Sequence, residues 1–241
     1  SVILSKTEIL KTESSKKTIV VLTGSVMSAE SGLKTFRDAD GLWEGHDVME
    51  VATPQAFERN PELVLEFYNQ RRKQLKEVSP NEGHIGLAKL EEHFNVHIIT
   101  QNVDNLHERA GSSNVIHLHG ELNKVRSTFD EDLVLDWTTD LNLGDFCEHN
   151  HQLRPHIVWF GEAVPMLDHA ISITEQADIL IVIGTSMQVY PAASLINFVH
   201  EETPIYFIDP KPNVTASKRL TIIEDTASKG VKKVTDKLLR K

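Results

Sequence analysis

The sequence predicts an α/β fold, a Rossmann-like and mainly parallel sheet with helices on both faces, plus a smaller module built from two insertions. Three observations predict it. Short apolar, β-rich runs recur at Ile19 to Leu22, Val96 to Thr100, Val115 to Leu118, Ile179 to Ile183 and Ile205 to Ile208, each bounded by polar, Gly or Pro residues. Between them lie helical patterns at Pro61 to Val78, Gly83 to Phe94, Asn105 to Ala110, Met166 to Ala177, Ala192 to His200 and Thr226 to Leu239. Strands that alternate with helices form parallel sheets covered on both faces. Two blocks break the alternation, a helical one over 41–80 and a polar one over 121–155, and these are the expected small module. The sheet domain then comprises 18–40, 81–120 and 156–241. Residues 1–17, rich in Ser, Thr and Lys, read as a polar extension.

Composition narrows the function. Of 241 residues, 40% are hydrophobic, enough for one compact domain carrying a module. No apolar run approaches the roughly 18 to 20 residues that span a bilayer, so a cytoplasmic protein with no membrane partner is expected. A formal net charge of -10 opposes binding along a phosphate backbone, which depends on clustered Lys and Arg, and excludes nucleic acid as the expected partner. The same field favours basic peptides. Cys147 is the single cysteine, so neither an internal disulfide nor a cysteine-based four-ligand zinc site can form within one chain.

In an open parallel sheet, ligands collect where strands end at their carboxyl side and the strand order reverses. Polar motifs follow three such ends here. Thr23-Gly24-Ser25-Val26-Met27-Ser28-Ala29-Glu30-Ser31-Gly32 is a small-residue turn entering a helix, where backbone N–H groups can cradle a pyrophosphate or where Gly and Ser serve steric needs alone. Phe36-Arg37-Asp38 adds a cation that suits phosphate or an ordinary surface ion pair. Thr100-Gln101-Asn102-Val103-Asp104-Asn105 offers a dense hydrogen-bonding surface for a ribose and a carboxamide, or a helix cap at Asp104 or Asn105. His117-Leu118-His119-Gly120 places two imidazoles on one side of a strand, one of them a candidate general base, and its glycine permits a close approach to the backbone.

Taken in order with Val158-Trp159-Phe160-Gly161-Glu162 and Gly184-Thr185-Ser186, these motifs resemble those of the sirtuin family over roughly Thr18 to Leu239. The resemblance implies an NAD-dependent deacylase acting on acylated-lysine proteins or peptides, giving nicotinamide, deacylated lysine and O-acyl-ADP-ribose. By the same resemblance His119 is the general base that activates a ribose hydroxyl. Asn102 holds the ribose and a water, Asp104 and the Val103 backbone hold the nicotinamide carboxamide, and Gln101 contacts the ribose. Gly24, Ser25, Met27, Ser28, Phe36, Arg37, Gly184, Thr185, Ser186, Asp209 and Ala227 complete the NAD site. Val158 to Glu162 is similar to the segment that pairs with the substrate backbone as an added strand, which is otherwise a plain edge strand. Tyr68 and Arg71, three apart on one helical face, resemble the pair that holds the distal carboxylate of succinyl, malonyl or glutaryl groups in one sirtuin branch. The alternative is an exposed Arg beside a packed Tyr.

The chain also departs from the family pattern. The insertion after His119-Gly120 lacks the two Cys-x-x-Cys pairs and carries Ser127 near the expected first ligand, so no zinc is expected. Cys147, His149 and His151 lack zinc spacing and read as a His-rich surface loop, and Leu133, Val134, Leu135, Trp137 and Phe146 are the expected packing of the module. Val26 stands where the family has the second Gly of Gly-Ala-Gly, costly for close approach to phosphate and for positive φ. Lys34 replaces the usual Pro, loosening the loop expected to cover the cofactor, and Asp209 replaces the common Asn. Competing expectations are a binding protein for ADP-ribose or acyl-lysine peptide with poor turnover, and an ADP-ribosyl transferase.

Overall fold

The structure, a computed structural model, describes residues 16–34, 42–185 and 192–240. Residues 1–15 of the predicted 1–17 extension and the motif residues Phe36, Arg37, Asp38 and Ser186 lie outside them. The chain opens with strand β1 (Thr18–Thr23) and short helix α1 (Ser25–Ala29). The first insertion follows: hairpin β2 (Leu42–Trp43) and β3 (His46–Asp47), then α2 (Val48–Val51), α3 (Pro54–Arg59) and α4 (Pro61–Glu77). Local sequence sets these helix starts. Thr53 accepts from the Ala56 N–H and Asn60 from the Leu63 N–H, and each cap precedes a proline at the first helical position.

The sheet domain resumes with α5 (Glu82–Lys89), β4 (Asn95–Thr100), α6 (Leu106–Arg109) and β5 (Val115–His117). The second insertion is β6 (Gly120–Ser127), β7 (Val134–Asp136) and β8 (Leu153–Ile157). The chain ends with α7 (Leu167–Thr174), β9 (Ile179–Ile183), α8 (Ala192–Leu195), β10 (Ile205–Ile208), β11 (Leu220–Ile223) and α9 (Ala227–Leu239). Six parallel strands run in the order β11-β10-β9-β1-β4-β5, and every strand expected from the sequence is among them. The chain builds outward from β1 to β4 and β5, then crosses to β9 on the other side. The crevice beside the carboxyl end of β1 is therefore the switch point where a ligand is expected.

Alternation along the strands divides the core. Ile19 and Val21 pack with Ile179, Ile181 and Ile183 on one face, together with Leu87 of α5 and Val231 and Val234 of α9. Val20 and Leu22 pack with Leu180 and Val182 on the other, with Ala170 of α7 and Leu195 of α8. Burial on both faces explains the unbroken apolar runs.

The two insertions pack together in two apolar clusters. Val48, Val51, Phe67 and Tyr68 of the helical block pack with Leu122 and Ile157 of the other and with Trp159 just beyond it, and Leu65 packs with Val125, Leu141, Cys147 and Leu153. Arg72, 1% exposed, fastens α4 to the second block by donating to the carbonyls of Leu122 (2.9 Å) and Thr139 (3.2 Å). The block read as polar is an antiparallel sheet, β7-β6-β8, whose central strand alternates buried and half-buried residues. Leu133 and Trp137 pack against its core, but Val134, Leu135 and Phe146 are exposed. The apolar support expected of those three comes instead from Leu65, Val125, Leu141, Cys147 and Leu153.

Gly120 has a local explanation. It sits at φ +89, and a Cβ there would lie 2.0 Å from the His156 carbonyl. The close approach anticipated after His119 is therefore made by β8 of the chain itself.

Candidate active site

At the switch point the Gly24 N–H donates to the Ile183 carbonyl (3.0 Å) and the Val26 N–H to the Gly184 carbonyl (3.3 Å), tying the first turn to the end of β9. This contact leaves no room for side chains. A Cβ on Gly24 would lie 2.6 Å from the Thr185 Cβ, and one on Gly184, at φ +61, 2.4 Å from the Val26 Cβ. Val26 itself lies inside α1 and is not among the residues with positive φ, so the conformational cost expected of a Val there does not arise.

Beside this cradle opens a cavity of about 630 Å³. Ser25, Val26, Gly184, Thr185 and Asp209 line it from the switch point, Gln101, Asn102, Val103 and Asp104 from the end of β4, and His119 from the end of β5. Arg71, Val158, Trp159, Phe160, Gly161 and Glu162 line it from the module. One cavity thus unites most of the residues the sequence singled out. Met27 and Ala227 belong instead to the sheet core, fully buried, because both face the packing between the first turn and α9.

Ser28 is also fully buried and acts on the site from behind. Its hydroxyl donates to Asp104 Oδ2 (2.6 Å) and accepts from Asn102 Nδ2 (3.2 Å), which also donates to the Gly24 carbonyl (2.9 Å). Asp104 Oδ1 accepts from the Leu106 N–H at the start of α6 (3.0 Å), so Asp104 lines the cavity while fixed to the first turn of that helix. Gln101 Oε1 accepts from Thr185 (3.1 Å), while Gln101 Nε2 is buried with no protein partner. Gln101 lines the cavity, and an unmet buried donor on such a residue fits a ligand acceptor.

The two histidines divide their tasks. His119 Nδ1 meets the Gln101 carbonyl at 3.2 Å, and His117 Nδ1 meets the neighbouring Asn102 carbonyl at 3.0 Å. Burial pushes the His119 pKa down, against a smaller upward effect of the Gln101 carbonyl. For His117 burial also acts downward, but the hydrogen bond and charge of Glu108 (2.9 Å), aided by Glu121, outweigh it and raise the value. Only His119 of the two lines the cavity. His117 is half-buried, in an ion pair with Glu108.

On the module side the segment from Val158 to Glu162, whose alternative reading was an edge strand, is a bend rather than a strand. The N–H groups of Val158, Phe160 and Glu162 donate to the carbonyls of His119 (2.9 Å), Ala52 (3.0 Å) and Trp159 (3.0 Å), with Gly161 at φ +88 reversing the chain. Strand geometry is lost because β8 ends where the chain must bend over the site. Glu162 locks the bend, accepting from the Trp159 N–H (2.8 Å) and from Arg154 through both oxygens (2.8 and 2.9 Å). Burial raises the Glu162 pKa, but Arg154, the Trp159 N–H and Arg126 together hold it below the usual carboxylate range. Arg154 also stacks 3.7 Å over the Trp159 ring.

The helical pair separates. Tyr68, fully buried, accepts from the Trp159 indole N–H (2.9 Å) and stands behind the cavity wall. Arg71 lines the cavity and pairs with Glu44 at 3.5 Å. Neither Glu44 nor the lining residues Trp43 and Gln74 stood out in the sequence, since Trp43-Glu44-Gly45-His46 lacks the Asn-Gly or Asp-Gly signature of a tight hairpin.

Cys147 is the single thiol and its sulfur meets Ser127 Oγ at 3.5 Å. Among the described residues the one converging group of three potential ligands is Glu108, His117 and Glu121, which does not include Cys147, His149 or His151.

Comparison with known proteins shows the family. The model of the Sir2 family matches residues 24–191, so the chain belongs to that family and is a sirtuin-type enzyme. It is 58% identical to the NAD-dependent protein deacylase of Helicobacter pylori, over 92% of this chain and 98% of the relative. To the NAD-dependent protein deacylase of Bacteroides thetaiotaomicron it is 51% identical, with the same coverage of 92% and 98%. The crystal structure of a Sir2 homologue in complex with NAD is similar at a TM-score of 0.82 and 38% identity, covering 98% of this chain and 94% of that one. No helix among the described residues is long and apolar enough to cross a membrane.

Proposed function

We propose that the chain removes acyl groups from protein lysine at the expense of NAD, acting on acetyl-lysine and on the acidic succinyl and malonyl forms, in the cytoplasm. The observation that carries the reading is the single cavity shared by His119, Asn102 and Asp104 on the sheet side and by Arg71 and the Val158–Glu162 bend on the module side. NAD supplies a ribose carbon from which nicotinamide departs. The chain supplies position and a proton acceptor. The end of the cavity lined by Ser25, Val26, Gly184 and Thr185 takes the pyrophosphate, and Gln101 and Asn102 beside it hold the ribose. Asp104, fixed by Ser28 and Leu106, receives the carboxamide N–H with the Val103 backbone beside it. His119 takes the ribose hydroxyl proton on Nε2, because Nδ1 faces a carbonyl and carries the hydrogen. The peptide lies along the bend from Val158 to Glu162, which lines the cavity on the module side. The module holds without zinc.

A second reading is favoured by one observation. Val26 lines the cavity and its N–H donates to the Gly184 carbonyl, so this donor is spent within the chain. A protein that binds ADP-ribose or acyl peptide with weak turnover would follow. Incubation with NAD and acetyl-, succinyl- and malonyl-lysine peptides separates the two. Deacylase chemistry yields nicotinamide and O-acyl-ADP-ribose, abolished in His119→Ala. Saturable nucleotide binding with unconverted peptide would establish the second reading, and ADP-ribose attached to protein would indicate a transferase.

A further inference from the structure

The β2–β3 hairpin closes on Glu44 and Gly45, with φ of 51° and 79°. Two positive φ angles define a tight turn that favours Asn-Gly, and a Glu in the first of these positions is unfavourable for the backbone. Its side chain gives the residue another role. Glu44 turns inward, its carboxylate 3.5 Å from Arg71 Nη2, with side-chain exposures of only 16% and 10%. The pairing is incomplete. Glu44 Oε1 and Arg71 Nε are both buried without a hydrogen-bond partner, although a guanidinium and a carboxylate can form two parallel bonds. Arg71 meanwhile lines the cavity, over the Phe67 ring and beside Trp43 and Gln74.

We propose that Glu44 is a resident counter-ion for Arg71 that sets the acyl-charge selectivity of the site, satisfying the guanidinium when the acyl chain is neutral and competing with the distal carboxylate when it is acidic. This rests on acyl-lysine entering the cavity. A neutral chain cannot compensate a mostly buried guanidinium, so without Glu44 its binding leaves an unpaired charge. An acidic chain brings a second carboxylate to one guanidinium, and the like charges repel until Glu44 yields. The loose 3.5 Å contact suits a partner that can be displaced.

The test compares kcat/KM for acetyl- and succinyl-lysine peptides of one sequence, with NAD, in the wild type, Glu44→Gln and Glu44→Asn. The Asn variant suits the turn and guards against a misfolded hairpin. Both variants are expected to raise the succinyl-to-acetyl ratio about tenfold, the scale of one modest electrostatic interaction. In an Arg71→Met background, Glu44→Gln should leave the ratio unchanged. A ratio that does not rise in either variant, while Arg71→Met still depresses desuccinylation, overturns the role of Glu44 and leaves the deacylase reading intact. Should the wild type convert neither peptide, the deacylase reading fails, and peptide affinity followed by tryptophan fluorescence decides on Glu44. Tighter succinyl-peptide binding in Glu44→Gln supports the proposal; unchanged or undetectable binding overturns it.

Discussion

His119 Nδ1 lies 3.2 Å from the carbonyl oxygen of Gln101 and can meet it only as a donor, which fixes the tautomer and leaves Nε2 with its lone pair. Burial holds the His119 pKa below the ordinary imidazole value of about 6.5. The base is therefore neutral and competent at neutral pH. The acid limb of kcat/KM for deacylation is expected below pH 6.5, and His119→Ala should cost about 100- to 10,000-fold. A pH–rate profile with its acid inflection above 6.5 would contradict the assignment.

His117 should behave in the opposite sense. Glu108 and Glu121 raise its pKa against the effect of burial, so the folded protein holds this proton more tightly than the unfolded chain. Such a group stabilises the fold fully below the unfolded value of about 6.5, and its contribution is lost as pH rises through the folded value. The melting temperature should fall across that window, and the fall should be shallower in Glu108→Gln. Equal slopes in the two proteins would show that the ion pair with Glu108 does not carry the effect.

The ease of reading the sheet and the difficulty of reading the module have one physical origin. Strands such as Ile179–Ile183 are buried on both faces, so their apolar runs stand out from any context. Leu220–Ile223 is a half-buried edge strand, and β6 to β8 bury single residues such as Val125 and Leu153 among polar neighbours, so their pattern is weak. The same contrast divides the site. Gln101, Asn102, Asp104 and His119 sit at strand ends and were legible there as clustered polar groups. Ser28 acting through Asp104, Tyr68 turning to Trp159 and Glu44 meeting Arg71 depend on tertiary contacts between elements distant in sequence or on an uncommon turn.

The module should be indifferent to chelators. Cys147 is 5% exposed and packs with Leu65, Val125, Leu141 and Leu153, so it behaves as a small apolar residue. Metal analysis of the purified chain should find no stoichiometric zinc, and EDTA should leave the melting temperature unchanged. Cys147→Ala should cost about 1 kcal/mol, the scale of removing one small buried group. Stoichiometric zinc, or unfolding on chelation, would contradict this account.

Gly184 offers the sharpest test of the nucleotide cradle. Its φ of +61 is unfavourable for any residue with a Cβ, and an added Cβ would lie 2.4 Å from the Cβ of Val26, too close to be absorbed by a rotamer change. Gly184→Ala must therefore separate β9 from α1 at the point where their backbones meet through the Val26 N–H and the Gly184 carbonyl. Stability should fall by about 2 kcal/mol, and the KM for NAD should rise more than the KM for peptide, since the bend from Val158 to Glu162 is anchored elsewhere, on Ala52, His119 and Arg154. Combining it with Val26→Gly removes the colliding Cβ but not the strain of positive φ, so recovery should be partial in both stability and NAD affinity. If Gly184→Ala instead weakens peptide and NAD equally, the cradle and the bend are one mechanical unit rather than two.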